Sequence, residues 1–288
     1  MLDQRISAST QRFAVLGESL AHTWSPQIHN TLFAAAWLDA IYLPITVPKA
    51  QLSSAVDVLR SCFGGFNVTI PYKERIIPLL DELDAAADAC GAVNTVENRD
   101  GRLIGHITDG LGMLRAIEEG GVSTQGIDVL ILGGGGAARV AGYEFLVRGC
   151  RVTFAVRSVE KGQALARSLA DTQHDGMARL RVCPLGDIPG TYDLLVNCTP
   201  VGMYPNVSAC PVGIKVIARC KAVFDAVYNP RVTELLGIAS TLHIPCVEGL
   251  GMLFYQAVEA ERFWFGSERL VPERVQQQIY LELLAQMA

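Results

Sequence analysis

The stretch from Ile127 to Arg157 leaves this 288-residue chain few ways to fold. It opens on Ile127-Asp128-Val129-Leu130-Ile131-Leu132, a short apolar run of the kind that makes a strand buried in a parallel sheet. The run breaks into Gly133-Gly134-Gly135-Gly136-Ala137-Ala138, resumes with helix-compatible spacing from Arg139 to Gly149, and ends in a second apolar strand, Arg151 to Val156. A strand, glycine turn, helix and strand within about 30 residues have the proportions of a dinucleotide-binding βαβ unit. Gly133 supplies the tight turn, and Gly135 lets the main chain approach a pyrophosphate, with Gly134, Gly136 and Ala137 completing the loop. Ala138 takes the third place of the fingerprint, where a small residue lets the helix pack on the strand. The free N–H groups at the helix start then face the phosphates.

The residues after the second strand narrow the cofactor. A site for NAD usually carries Asp or Glu about 20 residues past the glycines, to bond the ribose 2′-hydroxyl. Here the place reads Val156-Arg157-Ser158-Val159-Glu160-Lys161. Arg157 can grip a 2′-phosphate, Ser158 can donate a hydrogen bond, and Lys161 adds a second cation. A solvated basic turn would look the same; the pattern favours NADP, with NAD still open.

The segments on either side fit a folded α/β protein. Half the residues are hydrophobic and 18% are charged, so a sizeable core is expected rather than disorder. The formal net charge of -5, with no long basic run, argues against nucleic acid and anionic membranes as partners. No apolar stretch reaches the roughly 18 residues of a membrane span, and Met1-Leu2-Asp3-Gln4-Arg5 lacks the layout of a leader. Eight cysteines form no C-x-x-C pair and no cluster with histidines, so no metal site is expected and a reducing cytoplasm fits.

Several polar residues stand at element ends. Thr23 and Ser25 lie in a loop just ahead of an Ala-rich helix, a place suited to an anion; Ser25 as a helix cap before Pro26 is the other reading. Asn67 and Thr69 share one face of a strand, and Lys73 follows it in a Pro-broken turn, where α/β folds hold their ligands. A helix is expected from Leu79 to Ala89, then a hairpin of Gly91–Val96 and Leu103–Ile107 turned at Asn98-Arg99-Asp100-Gly101. Asp109, just beyond it, could be only an N-cap. Further strands are expected at Leu180–Cys183, Tyr192–Asn197, Ala222–Asp225 and Ile244–Val247, with helices from Gly249 and from Val271.

Taken in order, these segments resemble the shikimate dehydrogenase family over nearly the whole chain. The likeness is carried by Ser25-x-Pro-x-x-His29-Asn30, Asn67-Val-Thr-Ile-Pro-Tyr-Lys73, Gly91-Ala-Val-Asn94-Thr95, Thr108-Asp109-Gly110 and the glycine loop. Asn197-Cys-Thr-Pro-Val-Gly-Met203, Asp225-Ala-Val-Tyr228-Asn-Pro230 and Gly251-Met-Leu-x-x-Gln256 complete it. The resemblance implies reversible hydride transfer between shikimate and NADP, with Lys73 and Asp109 as the catalytic pair. It implies that Thr23 and Ser25 bind the substrate carboxylate, that Asn94, Asp109 and Gln256 bond the ring hydroxyls, and that Thr69 and Tyr228 complete the pocket. Thr199 and Gly249 join the cofactor residues on the same ground. Thr23, Ile107 and Val156 depart from the family's usual serine, asparagine and asparagine. Quinate or an amino analogue, with relaxed cofactor choice, therefore stays open beside shikimate. A non-catalytic NADP-responsive regulator is disfavoured by the retention of both Lys73 and Asp109.

The fold implied is α/β with two domains: an N-terminal α/β substrate domain, residues 1–110, and a Rossmann-type dinucleotide-binding domain, residues 111–250. Residues 251–288 are expected to pack back onto the first, the active site to lie in the cleft, and a homodimer is an admissible assembly.

Overall fold

Short apolar runs separated by amphipathic segments condense into two six-stranded sheets, each covered by helices, in a computed structural model that describes residues 6–21, 23–173 and 175–286. The opening residues 1–5, read above against a leader, and His22 lie outside the described residues. The chain divides into two compact units, Met1–Thr108 with Gln256–Ala288, and Asp109–Tyr255.

The first unit is built on β1 (Gln11–Gly17), β2 (Ala40–Thr46), β3 (Gly65–Val68), β4 (Glu82–Leu83), β5 (Thr95–Arg99) and β6 (Arg102–His106), in the spatial order β2-β1-β3-β5-β6-β4. Strand β1 pairs in parallel with β2 and β3, whereas β3–β5 and β5–β6 are antiparallel. Aromatic rings fill one side: Phe13, Phe33 and Tyr42 are buried, and Trp264 and Phe265 of the helix Gly249–Phe265 pack against them. The Trp264 indole N–H donates to the carbonyl of Val96 at 3.0 Å, so a C-terminal helix is pinned to the sheet of this unit.

The second unit carries β7 (Asp128–Leu132), β8 (Arg151–Val156), β9 (Leu180–Pro184), β10 (Leu194–Asn197), β11 (Val223–Asp225) and β12 (Cys246–Glu248). Their order is β12-β11-β10-β7-β8-β9, parallel throughout, the arrangement of a dinucleotide-binding sheet. Val129 to Leu132 are fully buried, as a strand covered on both faces requires. No helix among the described residues is long and apolar enough to cross a membrane.

The expected helix from Leu79 to Ala89 is not formed. Residues 82–83 instead make β4 beside β6, and only Ala85–Cys90 is helical. Polar side chains decide this. Asp81 accepts from the Leu103 amide at 2.7 Å and pairs with Arg60, holding the segment to the sheet, while Asp84 caps the short helix by accepting from the Ala87 amide at 2.7 Å. Gly91 ends that helix at φ 59°, so the strand expected from Gly91 begins only at Thr95. Short helices at Gly176–Arg179 and Ile214–Ile217 were not anticipated.

Candidate active site

In the first unit a buried polar cluster forms where β3 ends and β5 begins. Asn94, Thr95, Thr108 and Gln256 are all less than a tenth exposed. Asn94 Oδ1 accepts from the Thr108 amide at 2.7 Å, and Asn94 Nδ2 donates to Thr108 Oγ1 at 3.0 Å and to Gln256 Oε1 at 3.4 Å. Lys73 sits half-buried in the turn after β3, with its carbonyl accepting from the Val93 amide at 2.8 Å. That bond ties the lysine's turn to the residue preceding Asn94. Thr69, also half-buried, leaves the end of β3 with its amide bonded to Leu16 O of β1.

Thr23 and Ser25 meet at the start of the helix Ser25–Ala35, where Thr23 Oγ1 donates to Ser25 Oγ at 3.3 Å. Ser25 is not the cap it might have been. It is the first helical residue and Trp24 holds the cap position without a side-chain cap bond, while Thr23 Oγ1 accepts from the Ser25 amide at 3.4 Å. Ser25 sits inside the helix because Pro26 follows at the first turn, its fixed φ already helical. Asp109 opens the helix Asp109–Glu119 and directly follows Thr108, whose side chain and amide are held by Asn94.

In the second unit the strand order reverses between β7 and β10, which is where open α/β sheets hold their ligands. Both loops leaving these strands are present. Gly133 has φ 109°, a conformation for glycine, and a Cβ there would lie 3.1 Å from Thr199 Cγ2 of the loop after β10. Gly134, Gly135, Gly136 and Ala137 are exposed, and added Cβ atoms at Gly135 and Gly136 would meet nothing within 4 Å. The helix Gly136–Val147 thus begins with its N–H groups beside open space, which fits a bound diphosphate. Val156, at the end of β8, lies beside Gly134, and Arg157 emerges there exposed. The side chains of Arg157 and Lys161 make no hydrogen bond or ion pair among the described residues, whereas Ser158 caps the next helix and donates to Glu160 at 2.9 Å. The residues present therefore fit a dinucleotide carrying a 2′-phosphate. Ala138 is buried against the strand, yet the closest approach is a turn later: a Cβ at Gly142 would lie 2.5 Å from Phe154 Cζ.

Thr199 is held by Asn197, whose Oδ1 accepts from the Thr199 amide at 3.0 Å and its hydroxyl at 2.7 Å. Asn197 Nδ2 donates to Asp225 Oδ1 at 2.9 Å; Asp225 also accepts from the Val227 amide and from the Thr233 hydroxyl. Burial raises the Asp225 carboxyl above its ordinary value, against the pull of those three donors. The bracket fixes the loops after β10 and β11, from which exposed Tyr228 projects. The sequence reading missed this bracket, although a lone Asn or Asp ending an apolar strand was its signal. Gly249 is buried, and a Cβ there would meet the Asp225 and Ala226 carbonyls at 2.7 Å, so the helix starts hard against β11. The Cys198 thiol, at the start of the loop after β10, is pushed up to about 12 by burial and then by Asp225.

Residues 15–96 match the family described as shikimate dehydrogenase substrate binding domain. A shikimate dehydrogenase (NADP(+)) of Carboxydothermus hydrogenoformans is 37% identical over 268 residues, covering 91% of this chain and 94% of that protein. A solved shikimate dehydrogenase in complex with NADP+ has a TM-score of 0.89 at 33% identity, covering 98% of each chain. The shikimate 5-dehydrogenase of Thermus thermophilus, in complex with NADP(H) and shikimate, has a TM-score of 0.83 at 32% identity over 94% of this chain and 99% of that one. Sequence and fold agree over nearly the whole length, and the chain belongs to the shikimate dehydrogenase family.

Proposed function

We propose that this protein oxidises shikimate reversibly to 3-dehydroshikimate with NADP. The observation that carries the reading is the buried cluster of Asn94, Thr108 and Gln256 beside the Lys73 turn. Polar side chains are costly to bury unless they are paired, and a set that ends in amide donors and acceptors suits a ligand rich in hydroxyls.

Oxidising a secondary alcohol requires its proton to leave as the hydride does, so a positioned acid–base group is needed. Lys73 fills that role: its amine takes the alcohol proton as the hydride leaves, and the ammonium so formed holds the oxygen and returns the proton in the reverse direction. Asp109 is the carboxylate partner in the proton transfer. Thr23 and Ser25 take the substrate carboxylate, Asn94 and Gln256 orient the ring hydroxyls, and Thr69 and Tyr228 complete the pocket. Gly133 to Ala137, Thr199 and Gly249 hold the cofactor, with Arg157, Ser158 and Lys161 at its 2′-phosphate. NADP, when bound, supplies the hydride acceptor. Eight free thiols, several of them buried, support placing the enzyme in a reducing cytoplasm.

The test is an assay of purified protein with shikimate and quinate, each with NADP and NAD. The highest kcat/KM is expected for shikimate with NADP. Preference for quinate or NAD would move the reading to a quinate-type enzyme, and turnover of neither acid with either cofactor would overturn it.

A further inference from the structure

We infer that Tyr42 is a positioning residue whose hydroxyl, acting through Asn67 and Thr95, holds the Asn94 side chain in place for the substrate. The inference rests on the functional reading above in naming that substrate, but not in the geometry.

Two main-chain groups orient the whole chain of bonds. The Thr108 amide donates to one end of the Asn94 side chain at 2.7 Å, which makes that end the oxygen. One end of the Asn67 side chain meets the Asn94 carbonyl at 3.1 Å, which makes that end the nitrogen. The remaining bonds are compatible with these two assignments. The second hydrogen of Asn67 Nδ2 goes to Thr95 Oγ1 at 2.9 Å. Thr95 has its own hydrogen for Asn94 Oδ1 at 3.1 Å or Thr108 Oγ1 at 3.2 Å. Asn94 Oδ1 accepts from the Thr108 amide, and its Nδ2 faces Thr108 Oγ1 and Gln256 Oε1. Asn67 Oδ1 can only accept, and it takes the Tyr42 hydroxyl proton at 2.6 Å. The bonds run without a break from Tyr42 through Asn67 to Thr95 and the Asn94 carbonyl.

Tyr42 is held firmly for this task. It lies in β2, and its hydroxyl reaches across β1 to Asn67 in β3. Asn30 clips its main chain in both directions, donating to Tyr42 O at 3.0 Å and accepting from Tyr42 N at 2.9 Å. The His29 imidazole stacks on its ring at 4.2 Å and 15°, and is itself bonded to Glu261 at 3.0 Å. Burial first, and then Glu261, raises the phenol well above its ordinary value, so the proton remains available to donate.

Tyr42→Phe removes one oxygen from this chain and leaves Asn67 Oδ1 buried without a donor. The shikimate KM should rise about five- to tenfold, the scale of one neutral hydrogen bond, with kcat within about threefold of wild type. Thr95→Val cuts the chain one link further on and should give the same split. Side-chain amide NMR supplies a readout independent of turnover: the Asn94 NH₂ signals, assigned with Asn94→Asp, should shift and exchange faster in Tyr42→Phe than in wild type. Unchanged Asn94 signals overturn the proposal, as does an unchanged KM in an enzyme that turns over shikimate. A protein that does not turn over shikimate defeats the functional reading instead, and the amide signals still decide this one.

Discussion

Single side chains separate chemistry from binding. Lys73 is held by its carbonyl to the residue before Asn94, so its turn is fixed independently of the side chain. Lys73→Ala should therefore lower kcat by about 10²-fold, the usual scale of a lost acid–base group, with a smaller change in KM. Loss confined to KM would make Lys73 a binding residue. Arg157 stands exposed at the end of β8, its guanidinium committed to no other group among the described residues. One charge-assisted contact to a 2′-phosphate is worth about 1.5–3 kcal/mol, so NADP should be preferred to NAD by about ten- to a hundredfold. Arg157→Ala should largely erase that ratio of kcat/KM values; a wild-type enzyme faster with NAD would show that the basic turn serves another purpose.

Helices and strands meet at a few positions where size matters more than polarity. The helix Gly136–Val147 crosses β8 at Gly142, where a Cβ would lie 2.5 Å from Phe154 and 2.9 Å from Leu169. Both neighbours are fully buried and cannot swing away. Gly142→Val should cost about 1–3 kcal/mol by overpacking, read as a lower midpoint in urea, although the substitution improves helix propensity. A variant as stable as wild type would mean the helix can ride outward without loss. The same logic explains the unexpected short helix Ala85–Cys90. Its length is set by the Asp84 cap and by Gly91 at φ 59°, not by the run of alanines that suggested something longer.

At the largest scale, stability of the first unit should carry a particular pH signature from His29 and Glu261. Burial lowers the imidazole from 6.5 to about 3, with Asn67 opposing, and raises the carboxyl well above 4.5. The carboxyl therefore gives up its proton at higher pH folded than unfolded, a contribution that is full below 4.5 and lost as pH rises toward its folded value. The imidazole gains a proton only at lower pH folded than unfolded, a contribution that is full above 6.5 and lost as pH falls from 6.5 toward about 3. Glu261→Gln removes the first contribution and leaves the second, so its stability relative to wild type should climb as pH rises above 4.5. A constant gap in urea melts across that range would sink the assignment. Much else was legible without a structure. The Rossmann sheet, the glycine turn and the basic turn at Arg157 could be read because their physics is local: apolar runs, φ preferences and charge at a turn; the segments around Lys73, Asn94 and Asp109 gained meaning only through the family resemblance. What only the tertiary structure decided is non-local. The ties from Tyr42 to Asn67, from Asn94 to Gln256 and from Asn197 to Asp225 join residues 25, 162 and 28 positions apart. Sequence spacing does not report such pairs, because burial makes them pair across strands, and only the packed sheet brings those strands together.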